Sequence, residues 1–231
     1  SAKRIGEVLD SPAELPVLEE VEHPPVKTDA HVCFDHVSFS YLGRLNDLED
    51  ISFSLPRGGS LGIIGATGSG KTTLIKLLLR FYDVGSGCVR ISGRDVRTIP
   101  KEELYGDLGI AMQHDFLYAD TVEENIRFGR ELSHEQIVRA AKIAQAHDFI
   151  SAFPEGYEHM LSQKGTNVSG GQKQRILIAR ALAADPAILI LDDSSSALDY
   201  KTDASLRVAL QKEMSDTTLI TVAQRVSSVK S

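Results

Sequence analysis

Gly65-Ala66-Thr67-Gly68-Ser69-Gly70-Lys71-Thr72-Thr73 decides how this chain is read. It fits G-x-x-x-x-G-K-[ST], the pattern of a phosphate-cradling P-loop. Ser60-Leu61-Gly62-Ile63-Ile64 before it is a short apolar run that predicts a buried strand. Thr73-Leu74-Ile75-Lys76-Leu77-Leu78-Leu79-Arg80 after it predicts a helix packed on both sides. The chemistry requires this order, because glycines let backbone N–H groups turn inward on a phosphate and the helix N-terminus adds partial positive charge. Gly65, Thr67, Gly68, Ser69, Gly70, Lys71, Thr72 and Thr73 are therefore candidate nucleotide-binding residues. Lys71 would reach the β/γ-phosphates and the Thr72 hydroxyl would take a place on Mg²⁺. The flanking strand and helix distinguish the stretch from an ordinary Gly-rich turn.

With 231 residues, the chain holds one large domain or two small ones and has ample length for a packed core. Its 42% hydrophobic and 25% charged residues are those of a soluble globular protein. A net charge of −7 without a Lys/Arg stripe gives no support for nucleic-acid binding. Cys33 and Cys88 fit no metal spacing, so reduced, buried thiols in a cytosolic setting are expected. No apolar run approaches the roughly 18 residues of a membrane span, and no signal peptide opens the chain.

Residues 1–27 differ from the rest. Ser1 to Leu9 could end a helix, after which Ser11-Pro12, Pro16 and Pro24-Pro25 break regular structure and leave an extended linker. Val32 and Phe34, then Val37, Phe39 and Tyr41, give two short alternations with a break between them. Ile51, Phe53 and Leu55 alternate cleanly. Cys88–Ile91 is another short strand and Leu108–Met112 a buried run ending at Gln113, so an antiparallel β region precedes and follows the first strand–helix unit. The middle turns helical. Ser133-His134-Glu135-Gln136 and Ser169-Gly170-Gly171-Gln172 are both capping-box patterns. The second helix runs to about Ala184. Ala187–Leu191 is then a fully apolar strand of the kind found in a parallel sheet covered on both faces. A helix near Thr202–Met214 and a strand at Thr218–Val222 complete another such step.

Asp192 closes the apolar strand, where a carboxylate would help hold Mg²⁺. Alone this is a weak pattern; about 120 residues after a phosphate loop it gains force. Ser169-Gly170-Gly171-Gln172 offers free N–H donors, a hydroxyl and a favourable helix dipole, which makes a second phosphate site. The stretch by itself is equally well a plain capped helix.

Taken in this order, the motifs resemble one family closely: the nucleotide-binding domain of ABC transporters, in the exporter form that follows a transmembrane domain on the same polypeptide. The resemblance runs through essentially the whole chain and implies an α/β fold. That fold has a P-loop NTPase core with a mostly parallel sheet, an antiparallel β subdomain and an inserted helical subdomain at about 114–184. It implies a linker at 1–27 from an upstream transmembrane domain and an ATP-binding domain at 28–231 whose C-terminal end is truncated. Tyr41 matches the aromatic residue that stacks on adenine, although an exposed strand tyrosine would look the same. Gln113 matches the Q-loop glutamine, linking Mg²⁺ and the attacking water to the membrane domain. Ser169, Gly170, Gly171 and Gln172 match the signature, and Ser196–Asp199 the D-loop across the dimer interface, with Asp199 among the nucleotide-site residues. The cofactors implied are ATP and Mg²⁺, the latter on Thr72, Gln113 and Asp192. The partners implied are the transporter's transmembrane domain and a second nucleotide-binding domain packed head to tail, with the isolated domain monomeric. The setting implied is the cytoplasmic face of the cell membrane.

Two departures from the family pattern matter. Where the family has Glu after the strand-end Asp, this chain has Asp193, whose carboxylate falls on the order of 1 Å short of a glutamate's reach. Misplacement of that size costs around a hundredfold in rate. Where the family has a switch histidine, this chain has Gln224, which can hydrogen-bond but cannot become a cation. Asp193, Gln224 and Gln113 are the candidate catalytic residues. The departures predict the slow half of a heterodimeric exporter ATPase; the alternative is a fully active homodimer that tolerates them. An ABC-type ATPase of DNA repair is disfavoured, because about a hundred residues between P-loop and signature leave no room for the long coiled coils such proteins carry there.

Overall fold

The structure is a computed structural model that describes residues 15–19, 21–22, 24–43, 46–112, 115–193 and 197–223. The possible helix end at Ser1–Leu9, and Gln113, Ser196 and Gln224, lie outside the described residues. The chain runs through β1 (Ala30–Phe39), β2 (Leu48–Pro56), β3 (Ser60–Ile64), α1 (Lys71–Leu78), β4 (Ser86–Ile91), β5 (Arg94–Asp95), α2 (Lys101–Gly106) and β6 (Leu108–Ala111). It continues through α3 (Val122–Arg127), α4 (His134–Ile143), α5 (His147–Ser151), α6 (Gly170–Leu182), β7 (Ile188–Asp192), α7 (Tyr200–Glu213) and β8 (Thr218–Ala223).

Among the described residues the strands form two sheets, ordered β2-β1-β4-β5 and β3-β8-β7-β6. The first is antiparallel throughout and the second parallel throughout. The two alternations of the first strand belong to one strand. Their break is a bulge: the register shifts between Phe34 and Val37, and His36 sits at φ 50°. An extra residue there lets both halves point their apolar side chains to the core. Leu108–Ala111, expected within the antiparallel surroundings of the first strand–helix unit, instead pairs in parallel with β7. An apolar run of that length carries no signal for its partner.

Every residue of β7 is buried, and its two faces serve two cores. Ile188 and Ile190 pack in one cluster with Ile220 and Val222 of β8, Ile75, Leu77 and Leu78 of α1, and Val32 and Phe34 of the antiparallel sheet. Leu189 and Leu191 face the other cluster, with Ile176 of α6, Leu206 and Leu210 of α7, and apolar residues of α3 and α4. Burial of each such side chain stabilises by roughly 1.5–3 kcal/mol. The same arrangement fixes the C-terminal ends of β7 and β8 beside the N-terminus of α1, where the site lies.

Both capping boxes form. Ser133 Oγ accepts from Gln136 N and Gln136 Oε1 accepts from Ser133 N at 2.8 Å. The part of the 1–27 segment that is described has neither helix nor strand but is tied down. Leu18 N donates to Arg97 O at 2.9 Å, Val26 N to Gly93 O at 3.1 Å, and Arg80 Nη2 to Pro16 O at 2.5 Å. Both cysteines are free thiols. Burial pushes the Cys88 thiol up to about 11, whereas Cys33 is only half-buried.

Candidate functional site

The P-loop leaves β3 at Ile64 and enters α1 at Lys71. Gly68 and Gly70 hold φ of 83° and 87°, left-handed values that non-glycine residues adopt only at a cost. Gly65 is needed for a different reason: a Cβ there would lie 2.5 Å from Ser69 Oγ. The loop is thus closed on itself, with Ser69 N donating to Ala66 O at 3.2 Å. The Lys71 ammonium lies inside this ring and donates to Gly65 O and Ala66 O, both at 2.8 Å. Its stem is buried, so the charge is held at the mouth of the loop.

A cavity of about 500 Å³ opens over this loop. It is lined by Thr67, Gly68, Gly70, Lys71, Thr72 and Thr73 of the loop and helix start, and by Asp192, Asp193 and Val222 at the ends of β7 and β8. Tyr41, Asn46 and Asp47 complete the lining. Sequence-distant residues are therefore brought together as expected: Tyr41, the P-loop, Asp192 and Asp193 share one cavity. Asp192 is 4% exposed. Asp193 sits at φ 50° and its N–H donates to Val222 O at 2.9 Å.

Tyr41 lies just past the end of β1 rather than within it. Its ring meets Phe39 and Tyr82 edge-on, with centroids 4.8 Å and 5.1 Å away, and its hydroxyl donates to Thr73 Oγ1 at 3.2 Å. The residue is 40% exposed and lines the same cavity as Asp192.

None of Ser169, Gly170, Gly171 or Gln172 lines that cavity. They form the N-terminus of α6 instead, where Ser169 Oγ accepts from Gln172 N at 3.2 Å and Gln172 Oε1 accepts from Ser169 N at 2.9 Å. A Cβ on Gly171 would lie 3.2 Å from Ala197 O, so this helix start abuts the segment leading to Asp199. Arg175 supports it from behind, with Nε donating to Gly171 O at 3.3 Å and Nη1 to Gln145 O at 2.7 Å. Asp199 caps α7, accepting from Thr202 N at 3.0 Å and Thr202 Oγ1 at 2.7 Å. These bonds, the backbone one first, hold its carboxyl below the usual aspartate range.

Residues 48–196 match the sequence profile of a family described as ABC transporter. The chain belongs to the ABC transporter family. It is 39% identical over 230 residues to the uncharacterized ABC transporter ATP-binding protein YfiC of Bacillus subtilis, covering 99% of this chain and 38% of that protein. It is 38% identical over 231 residues to a fatty acid ABC transporter ATP-binding/permease protein of Mycobacterium tuberculosis, covering 100% of this chain and 36% of that one. Among solved structures it resembles that of a bacterial Atm1-family ABC exporter with ATP bound. There the TM-score is 0.86 and the identity 33%, over 99% of this chain and 40% of the other. The chain thus spans less than half the length of these relatives and corresponds to the nucleotide-binding domain of an ABC exporter. Among the described residues, no helix is long and apolar enough to cross a membrane.

The donor set suits Mg²⁺ in this ABC domain. Thr72 offers a hydroxyl and Asp192 a carboxylate in one cavity, and Mg²⁺ prefers a few protein oxygens completed by phosphate and water. Among the described residues there is no cluster of three or more His, Cys, Asp or Glu side chains placed to hold a metal ion. Reading the sequence for motifs missed Asn46 and Asp47, which belong to no pattern. Their one signal is position, between Tyr41 and the start of β2.

Proposed function

We propose that the chain is the ATP-binding domain of an ABC exporter that couples ATP binding and hydrolysis in a head-to-tail pair to transport, and that the site built on its own P-loop turns ATP over slowly. The observation that carries the nucleotide reading is the single cavity joining Tyr41, the P-loop and Asp192. A base against Tyr41 leaves the phosphates over Gly68–Thr72, with Lys71 redirected from the Gly65 and Ala66 carbonyls to phosphate oxygens. Thr72 and Asp192 would hold Mg²⁺, which, when bound, neutralises charge on the β- and γ-oxygens.

The placement of Ser169–Gln172 outside the cavity supports pairing with a second domain. A capped helix start with Gly170 and Gly171 exposed or half-exposed is a phosphate site looking outward, suited to the partner's ATP. The slow-site reading rests on Asp193 and Gln224. Phosphoryl transfer depends on positioning and charge stabilisation, and both residues alter those parts while leaving the binding residues intact. Exposed Phe116, Tyr118 and Phe128 touch ring to ring in that order, with the Arg180 guanidinium over Tyr118 and Phe128, a surface that suits the transmembrane partner of the same transporter. In this reading the domain works at the cytoplasmic face of the membrane, residues 1–27 join it to the transmembrane part, and residues near 114–184 form its helical subdomain.

Calorimetry with Mg-ATP tests the nucleotide reading. Lys71→Ala removes a charge-assisted contact of roughly 1.5–3 kcal/mol and is expected to weaken binding accordingly. Unchanged affinity in that variant would contradict the phosphate cradle.

A further inference from the structure

We propose that Asp47 is a specificity-determining residue that accepts hydrogen bonds from the ribose hydroxyls of the bound nucleotide, so that the site prefers a nucleotide carrying those hydroxyls to its 2′,3′-dideoxy analogue. The inference rests on the reading that this cavity holds a nucleoside triphosphate with its base at Tyr41.

Asp47 touches both the Tyr41 and the Gly70 parts of the site. Its backbone N–H donates to Phe39 O at 2.8 Å and its Oδ2 accepts from Tyr41 N at 2.9 Å, which ties it to the base end. Its carbonyl oxygen lies 3.2 Å from where a Cβ on Gly70 would be, which places its backbone against the phosphate end. It lines the same cavity as Tyr41, Gly70 and Lys71. A nucleotide carries its ribose between base and phosphates, so a molecule spanning from Tyr41 to Lys71 brings its sugar past Asp47.

The chemistry of the side chain fits that neighbour. An ionised carboxylate only accepts, and it has about four lone-pair sites on two oxygens. One oxygen holds Tyr41 N; among the described residues the other, Oδ1, has no hydrogen-bond partner. The 2′ and 3′ hydroxyls are the donors a nucleotide offers at that position. A negative charge there is otherwise unhelpful, since it faces a triphosphate. The hydroxyls turn it into a charge-assisted acceptor, and a site built to hydrogen-bond a hydroxyl disfavours the analogue lacking it.

The test compares the affinity of this chain for Mg-ATP and for Mg-2′,3′-dideoxy-ATP, in the unaltered protein and in Asp47→Ala. The unaltered protein is expected to bind ATP about tenfold more tightly than the dideoxy analogue. In Asp47→Ala the ratio should fall to about twofold or less, because ATP loses more affinity than the dideoxy analogue. The 2′- and 3′-monodeoxy nucleotides then assign the hydroxyl. Equal binding of both nucleotides by the unaltered protein overturns the proposal, as does an unchanged ratio in the variant. An equal loss for both nucleotides also overturns it, because Asp47 would then act only by holding Tyr41. Failure of the unaltered chain to bind either nucleotide contradicts the nucleotide reading instead.

Discussion

Leu48 closes against Gly70: a Cβ on Gly70 would lie 2.7 Å from Leu48 Cδ2. The first residue of a strand in the antiparallel sheet is therefore seated on the last glycine of the P-loop. The loop's shape depends on packing from a different sheet as well as on its own sequence.

Gly70→Ala should be penalised twice, once for placing a side chain at φ 87°, which costs roughly 1–2 kcal/mol, and once for the clash with Leu48. Urea unfolding should show the loss, and Mg-ATP affinity should fall by tenfold or more. Adding Leu48→Ala should remove the steric share and leave the backbone share, visible as non-additivity in a double-mutant cycle.

His31 and Thr218 give a pH dependence. His31 Nδ1 lies 2.6 Å from Thr218 Oγ1, which also accepts from Gly58 N at 3.2 Å, so the pair joins β1, the turn before β3, and β8. Burial first, and then the charge of Arg57, holds the imidazole below its ordinary 6.5. Between the folded and unfolded values the unfolded chain binds more protons, so stability rises with pH there. The contribution is complete above the unfolded value and lost as pH falls through the folded one. The urea midpoint should drop between pH 7.5 and pH 5, and His31→Gln should shrink that drop. Identical pH dependence in the two proteins would contradict the assignment.

Ser169→Ala removes the cap of α6, at about 1 kcal/mol. In the assembled transporter, if Ser169 serves the partner's ATP as proposed, the substitution should also suppress hydrolysis strongly, whereas Lys71→Ala should suppress it less. Equal losses in a steady-state ATPase assay would indicate two equivalent sites and a homodimer.

The P-loop, both capping boxes and the apolar strand of β7 were legible because each is set by local chemistry: glycines at left-handed backbone, side chains bonding their own helix starts, burial on both faces. The sheet membership of Leu108–Ala111 was not, since an apolar run packs equally well beside parallel or antiparallel neighbours until its partner is known. The bulge at His36 looked like a gap because an inserted residue interrupts alternation without ending the strand. Asp47 stayed hidden for another reason. Its carboxylate accepts from Tyr41 N and its carbonyl abuts Gly70, and no spacing in the chain reports that placement.

A single-site hydrolysis measurement decides whether the site on this chain's P-loop binds ATP without turning it over readily, as proposed. The assembled transporter would carry Glu→Gln in the partner at the position matching Asp193, so that only the site on this chain's P-loop reports. Phosphoryl transfer needs a correctly placed carboxylate and charge stabilisation at the γ-phosphate. The expected result is bound Mg-ATP with hydrolysis near background, raised when Asp193→Glu and Gln224→His are introduced together. A full share of the transporter's turnover from the unmodified site would contradict it.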